Sequence, residues 1–436
     1  MIDLRTIVAR VRGKVGGSLA KRIIGGAGWS FLGSGVQKVL LVLSSMVCMH
    51  LLGKEGFGEL GLVRSTVNMF ILCGAAGIGG TATKFLAEFR DRQREKLPEI
   101  HTLTMLSGFV LGLVCCAVIW IWAEPIACYT GLADLALPLR VGSVLMFFLM
   151  VTSVQNGTLS GYELFREIAI ATAIGGVGEF ICIVTGAWLG GVTGAVAGYG
   201  IGFIILAGVN QFFIIRHLRS LGMMRNWGRV SRGTLKYLWS YTCPSVLSGL
   251  MVVPVCGYVK MLLAREAGSG ELAVYEVADT IRLVVLFIPM AISKIVLPVL
   301  SNVRSSADIA QYRNVLKINV LVNVGVTGGI LLCLFLVSPV ILWCFKLDGS
   351  ARLPLMLMAT STLFTSLAVV VGAAIASCSR MWIGFAFNAL WGSMVVGFTI
   401  LFLSFGWKSV APAAAFCLAY LLHASFQGLY LRWMSA

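Results

Sequence analysis

Residues 51–63 read LLGKEGFGELGLV, and residues 262–275 read LLAREAGSGELAVY, a second copy of the same pattern about 210 residues later. One inserted residue brings two Leu, a basic residue and a Glu into register, followed by Gly-Glu-Leu. Trp29-Ser30-Phe31 precedes the first copy, and Trp239-Ser240-Tyr241 precedes the second. Chance similarity between apolar segments explains this poorly, because the matched portion is polar and includes two Glu residues. The chain is therefore predicted to be an internal duplication.

The composition is that of a membrane protein. Of the 436 residues, 58% are hydrophobic and 12% are charged, whereas a soluble domain carries about 25% charged residues. Apolar runs repeatedly reach the roughly 20 residues that cross about 30 Å of hydrocarbon. They predict an all-α, polytopic membrane protein with twelve transmembrane helices, at residues 26–52, 58–85, 103–123, 137–161, 168–189, 192–215, 237–263, 273–299, 315–337, 355–376, 381–403 and 410–431.

The positive charges alternate with these spans. With the N-terminus placed in the cytoplasm, the cytoplasmic segments hold 23 of the 34 Lys and Arg residues, and the external loops hold five. This bias follows the positive-inside rule and predicts that both termini are cytoplasmic. It also explains the net charge of +16 without nucleic acid as a partner, because the basic residues lie in short loops and not on one polar face.

The repeat divides the chain into four parts. A basic N-terminal segment (1–25) on the cytoplasmic surface precedes a six-helix lobe (26–215), a basic cytoplasmic linker (216–236) and a second six-helix lobe (237–436). An offset of six helices gives both lobes the same orientation in the membrane. They are predicted to form parallel repeats around a central cavity.

Glycine and proline mark particular places in the predicted spans. Gly190 and Gly191 separate the nearly continuous spans 5 and 6, and Pro339 interrupts the end of span 9. Along span 6, glycines recur every four residues, a spacing that favours close packing on a neighbouring helix. These glycines are Gly190, Gly194, Gly198 and Gly202.

No cofactor or metal site is predicted. The twelve cysteines are scattered, the four histidines are dispersed, and neither a CxxC pair nor a Walker motif occurs. Disulfide frameworks, zinc sites and ATP hydrolysis each require such a pattern. The sequence therefore favours a transporter over an enzyme.

Charges inside the spans are few and unevenly placed. A charged side chain at the bilayer centre costs at least about 2.5–3.5 kcal/mol, so each one requires an explanation. Spans 1, 2, 7 and 8 carry Lys38, Arg64, Lys260, Glu276, Asp279, Arg282 and Lys294, and spans 4 and 5 carry Arg140 and Glu179. Since spans 1 and 2 are equivalent to spans 7 and 8 in the repeat, their charges are predicted to line one water-accessible cavity.

Several of these residues have a structural alternative. Long side chains near span ends can reach the membrane surface, which applies to Lys260, Arg140 and Lys294. Arg282 follows Asp279 by three residues, and an ion pair explains both as well as a ligand does. Glu179 stands among glycines and is suited to accept hydrogen bonds from an adjacent helix. Lys38 and Arg64 lie well inside their spans with no acid nearby in sequence, so a functional role is predicted for them.

The intramembrane charges sum to a positive excess. Six cations stand against three anions, and buried cations are tolerable if an anionic ligand enters to meet them. Phosphate and pyrophosphate groups suit Lys and Arg well. An anionic substrate is therefore predicted, whereas a carrier for cationic compounds needs the opposite sign.

The first copy of the repeat resembles a known family. LLGKEGFGELGLV after span 1 is similar to the LG-x-x-x-[FY]-G pattern of bacterial polysaccharide flippases of the Wzx type, and ATKFLAEFR at residues 82–90 is similar to the end of their second helix. These flippases are part of the multidrug/oligosaccharidyl-lipid/polysaccharide exporter superfamily. The resemblance covers the whole chain in length, helix count and topology.

The resemblance implies a V-shaped carrier that works by alternating access. It would move an undecaprenyl-pyrophosphate-linked oligosaccharide, such as an O-antigen precursor, across the bacterial cytoplasmic (inner) membrane for cell-surface polysaccharide biosynthesis. The matching pyrophosphate-binding positions, assigned by helix and region, are Lys38, Arg64, Lys260 and Arg282. Candidates for a coupling proton or sodium ion, or for ion pairs, are Glu179, Glu276 and Asp279. The implied partners are the lipid-linked glycan, membrane lipid and a polysaccharide polymerase or ligase.

Two other classes are left open. A cation-coupled multidrug-type exporter belongs to the same superfamily but relies on membrane-embedded acids, and span 1 carries Lys38 and no acid. A membrane-embedded glycan polymerase or ligase usually presents a large external loop. The longest predicted external loop here, residues 124–136, has only about 13 residues.

Overall fold

The computed structural model describes residues 17–92, 94–222, 252–305, 309–377 and 381–435. This part of the chain consists of α-helices, short 3-10 turns and connecting loops, which confirms the predicted all-α fold class. The helices are α1 (Gly17–Arg92), α2 (Leu97–Thr130), α3 (Ala136–Gly161), α4 (Phe165–Ser220), α5 (Val253–Ala267), α6 (Ser269–Ser305), α7 (Ile309–Cys344), α8 (Arg352–Ser377), α9 (Met381–Ser404) and α10 (Val410–Ser435). Residues 1–16 and 223–251, which include most of the predicted linker and the second aromatic triplet, lie outside the described residues.

Two of these helices are interrupted at glycines. The backbone of α1 leaves the helical conformation at Gly53 (φ 73°), and that of α4 leaves it at Gly190 and Gly191 (φ 58° at Gly191). A positive φ strains a residue with a Cβ, whereas glycine adopts it freely. We call the resulting parts α1a (17–52), α1b (54–92), α4a (165–189) and α4b (192–220). With these breaks, the described helices form twelve stretches, which is consistent with the predicted twelve spans.

The helices have the length and surface of membrane spans. Among the described residues, eight helical segments are long and apolar enough to cross a bilayer. Helix α5 is not one of them, since it has only 15 described residues, and neither is the first part of α6, whose residues 271–282 carry four charges. Of the seven exposed tryptophans among the described residues, Trp120 and Trp122 lie within α2, and the other five lie near the two ends of the bundle, as expected of membrane interfaces. They are Trp188, Trp343 and Trp407 at the end that carries Gly53, and Trp29 and Trp382 at the opposite end, which carries Arg90.

Pro339 does not end its helix, although it lies beyond the predicted end of span 9. Helix α7 continues through it to Cys344. Proline lacks the N–H that would bond the carbonyl oxygen of Phe335, four residues earlier. The Ser338 hydroxyl donates a hydrogen bond to that carbonyl oxygen instead, at 2.9 Å. A neighbouring side chain thus satisfies the freed acceptor, as membrane helices require.

The bundle has an N-terminal half, α1–α4, and a C-terminal half, α5–α10. Helices α1 to α4 pack on one another, α6 packs on α7 and α8, and α1 makes the main contact between the halves by packing on α5 and α6. Helices α1b and α6 pack closely together at two glycines of α1b. A Cβ at Gly58 would overlap the carbonyl oxygen of Ser269, and a Cβ at Gly61 would overlap the side chain of Glu276. This close approach brings the charges of α1b and α6 into one space.

Helices α4a and α4b are also held together by glycine. A Cβ at Gly198 would overlap the carbonyl oxygen of Cys182 in α4a, and Gly194 and Gly202 approach α4a equally closely. The predicted packing role is confirmed for these three positions. Gly190 differs, because it lies in the turn and faces open space.

The alanine variant of Gly198 should test this packing. We expect Gly198→Ala to lower the free energy of unfolding by about 1–3 kcal/mol, because the added Cβ forces the two helices apart. Gly208, on the same helix, has open space for 4 Å around the place that a Cβ would take, so Gly208→Ala is the matched control. It should be neutral or stabilising by up to about 1 kcal/mol, since alanine favours helix over glycine. Thermal unfolding of the purified variants measures both, and equal melting temperatures would contradict the packing.

Candidate functional site: a charged cavity between the two halves

A cavity of about 260 Å³ lies where α1a, α1b, α4, α5 and α6 meet. Its lining includes six charged side chains: Lys38, Arg64, Glu179, Lys260, Glu276 and Asp279. Six of the seven predicted site residues are therefore brought together, although five different helical stretches supply them. The seventh, Arg282, is not part of the lining and lies behind Asp279.

The charges of the C-terminal half form a closed ionic network. Lys260 Nζ lies 2.8 Å from Glu276 Oε1 and 3.0 Å from Asp279 Oδ2. Arg282 Nη2 lies 2.7 Å from Asp279 Oδ1, and its guanidinium carbon lies 5.6 Å from the centroid of the Phe416 ring. Lys260 and Arg282 are both buried. The predicted ion pair between Asp279 and Arg282 is present, and Lys260 does not reach the membrane surface.

The cations of the N-terminal half are arranged differently. Within the described part of the chain, Lys38 and Arg64 make no ion pair within 4.0 Å, and neither does Glu179. Arg64 interacts with Glu179 and Glu276 only at longer range. Two cations that line the cavity are thus left with hydrogen-bonding capacity for a ligand.

Tyr199 completes the N-terminal side of the cavity and was not predicted from the sequence. The guanidinium carbon of Arg64 lies 4.6 Å from the centroid of the Tyr199 ring, a cation–π contact. The side chains of Asn68 and Arg64 also lie close to the Tyr199 hydroxyl. The one signal available in the sequence is that Tyr199 is the single tyrosine of span 6 and stands between Gly198 and Gly200.

The net charge of the cavity lining differs from the predicted positive excess. The lining holds three cations and three acids. Arg140 does not contribute, because its Nη2 lies 2.7 Å from Glu124 Oε1 on an exposed part of the molecule, and the side chain of Lys294 lies outside the described residues. The positive excess is confined to the N-terminal side of the cavity. There Lys38 and Arg64 face one unpaired acid, Glu179, whereas the cations of the ionic network are neutralised.

Contacts between the halves close the space between the cavity and the Gly53 end. The Gly58 backbone packs on Ser269, as described above. The guanidinium carbon of Arg265 lies 5.0 Å from the centroid of the Tyr129 ring, which joins the end of α5 to the end of α2. The cavity is therefore covered at this end by both halves together.

A membrane-spanning helical bundle whose two halves meet at a charged cavity has the architecture of a secondary transporter. A family model described as polysaccharide biosynthesis protein matches residues 23–304. The match covers more than half of the chain, and the chain belongs to this family. The resemblance to polysaccharide flippases is confirmed at the level of the family.

Individual relatives and solved structures agree with this assignment. The EPS I polysaccharide export inner membrane protein EpsE of Ralstonia nicotianae is 23% identical over 396 residues, which are 89% of each chain. A multidrug resistance transporter of the MATE family and MOP superfamily, solved in an inward-facing conformation, has a TM-score of 0.80 at 16% identity over 93% of this chain and 98% of that one. A MOP superfamily transporter from Pyrococcus furiosus, described as having a binding pocket of reverse polarity, has a TM-score of 0.71 at 17% identity over 95% of each chain. The structures establish the transporter fold.

Proposed function

We propose that this protein flips an undecaprenyl-pyrophosphate-linked oligosaccharide from the cytoplasmic to the outer leaflet of the bacterial inner membrane. The observation that carries the proposal is the pair of cations, Lys38 and Arg64, that line the cavity with no ion-pair partner among the described residues. Cations inside membrane spans without a partner are costly. A pyrophosphate supplies both the opposite charge and several strong acceptors, and the polysaccharide export relative agrees with such a cargo.

The four predicted phosphate-binding residues are not equivalent in this proposal. Lys38 and Arg64 contact the pyrophosphate directly. Lys260 faces them across the cavity and is already ion-paired with Glu276 and Asp279, so it is less available to the ligand than Lys38 and Arg64. Arg282 acts through Asp279, because its guanidinium lies behind that carboxylate.

The size of the cavity indicates which part of the cargo it holds in this conformation. Its volume of about 260 Å³ is just below the roughly 300–1,000 Å³ of pockets for drug-sized ligands. A phosphate headgroup matches this space, and an oligosaccharide does not. The halves therefore separate to admit the sugars, and we propose that they rock about the cavity in alternating access, with the Arg90 end facing the cytoplasm and the Gly53 contacts opening outward.

Glu179 is the acid that we propose for a coupling ion. Glu276 and Asp279 are held by Lys260 and Arg282. Glu179 lines the same cavity without an ion-pair partner among the described residues, so a proton or a sodium ion can neutralise it without breaking the network.

The second candidate is a cation-coupled exporter of small molecules. The unpaired acid Glu179 favours it, because a cationic compound would find a partner there. The tyrosine and phenylalanine rings of the lining, Phe180, Tyr199 and Phe203, also suit an aromatic cargo.

Reconstitution of the purified protein into liposomes separates the two candidates. We expect leaflet exchange of undecaprenyl pyrophosphate that carries a labelled oligosaccharide, and no gradient-driven movement of a cationic dye. Parallel samples with a pH gradient, a sodium gradient or neither should reveal the coupling ion, and the same lipid without sugars shows whether the headgroup suffices. Dye transport without lipid exchange would reject the flippase hypothesis and favour the small-molecule exporter.

A further inference from the structure

The position of Tyr199 suggests a role in shaping the site. We infer that Tyr199 is a positioning residue that holds the Arg64 guanidinium toward the cavity, so that the N-terminal half carries the phosphate headgroup. This inference rests on the proposed function. An arginine side chain has about 2 kcal/mol of rotamer entropy to lose on binding, and a group that fixes it beforehand strengthens binding.

Two kinds of contact fix Arg64. Its guanidinium carbon lies over the Tyr199 ring at 4.6 Å, which is inside the roughly 6 Å reach of a cation–π contact. The Tyr199 hydroxyl also lies close to the side chains of both Arg64 and Asn68. Asn68 lies one turn after Arg64 on α1b, so the tyrosine ties α4b to two successive turns of α1b.

Tyr199 itself is held by the glycines on either side of it. Gly198 packs against the Cys182 carbonyl oxygen of α4a, and Gly200 packs against the side chain of Leu145 in α3. The backbone of Tyr199 is therefore pinned between two helices of the same half. The close helix packing that glycine permits in span 6 sets the position of a side chain in the cavity.

The C-terminal half has no equivalent anion site in its described residues. When Glu59 is aligned with Glu271 in the two copies of the repeat, Arg64 aligns with Glu276. The duplicated position thus carries a cation in one half and an acid in the other. Glu276 is bound by Lys260, and Arg282 is bound by Asp279, so the cations there are already neutralised.

A set of variants in the full-length protein tests the inference. The assay is flipping in proteoliposomes, with undecaprenyl pyrophosphate bearing a dye-labelled disaccharide as the probe and rates measured over a range of lipid densities. We expect Tyr199→Ala to raise the apparent KM by about tenfold. Tyr199→Phe, which keeps the ring and loses the hydroxyl, should recover most of that loss. The melting temperature of Tyr199→Phe should stay close to that of the wild type, because the ring and its packing are kept.

The double variant tests whether Tyr199 acts through Arg64. We expect the double variant Tyr199→Ala with Arg64→Ala to lose no more flipping activity than Arg64→Ala alone. A positioning residue has no effect once the residue that it positions is gone. Additive losses would overturn the inference, as would a normal KM for Tyr199→Ala beside a defective Arg64→Ala. A wild-type protein that flips no lipid would reject the proposed function instead, so the two failures are distinguishable.

Discussion

Replacing Arg64 with alanine should reduce flipping of a lipid-linked oligosaccharide by roughly 100-fold while leaving insertion and folding intact. Truncating one member of a desolvated, hydrogen-bonded charge pair costs about 2–5 kcal/mol, and about 3 kcal/mol corresponds to that factor. Arg64 has no ion-pair partner among the described residues. Its removal therefore breaks no ion pair among these residues, and the loss should appear mainly in transport.

The measurement is leaflet exchange in proteoliposomes at matched protein abundance. Arg64→Lys keeps the charge but loses the bidentate fork and the planar face over Tyr199, so an intermediate rate is expected. Arg140→Ala is the matched control, because it also removes a predicted intramembrane arginine whose partner, Glu124, lies outside the cavity. Wild-type flipping by Arg64→Ala at normal abundance would reject the site assignment.

Replacing Asp279 with alanine should destabilise the fold, whereas replacing Arg64 should impair transport and leave the fold intact. Asp279 accepts bonds from both Lys260 and Arg282, and its loss leaves the buried Arg282 with no carboxylate. Removing one partner of a buried ion pair costs about 3–5 kcal/mol. We expect a lower melting temperature of the purified protein and a lower yield in membranes.

A combined variant separates the loss of charge pairing from the loss of packing. Replacing all four network residues together by neutral side chains of similar volume (Lys260→Met, Glu276→Gln, Asp279→Leu and Arg282→Met) strands no charge. Such replacements are often neutral or stabilising, so this variant should melt well above Asp279→Ala. If Asp279→Ala melts like the wild type, the network does not fasten α5 to α6.

Most of the fold could be predicted from local features of the sequence. Apolar runs of span length, glycines at the breaks and alternating loop charge predicted an all-α membrane protein, and the described helices agree with them. The departure at Pro339 has a local cause. The proline leaves the Phe335 carbonyl oxygen without its helical donor, and the adjacent Ser338 hydroxyl supplies one.

The candidate site could be predicted from the sequence only in part. The distribution of intramembrane charge predicted that spans 1, 2, 7 and 8 would share a cavity, and the structure places Lys38, Arg64, Lys260 and Glu276 there. The sequence predicted the Asp279–Arg282 ion pair but not the pairing of Lys260 with Glu276 and Asp279. Tyr199 was missed entirely, because a lone tyrosine in an apolar span has the same local pattern as a packing residue.

The sequence by itself determined that this chain crosses a membrane repeatedly and which helices carry charge. Those properties follow from bilayer thickness and the cost of burying charge, and both act on short stretches of chain. Only the tertiary structure decided that Lys260 and Arg282 are neutralised while Lys38 and Arg64 have no ion-pair partner among the described residues. Pairing depends on distances of about 3–4 Å between different helices, and Arg64 meets Tyr199 from more than 130 residues away. Helix packing through glycine sets those distances, and composition does not encode them.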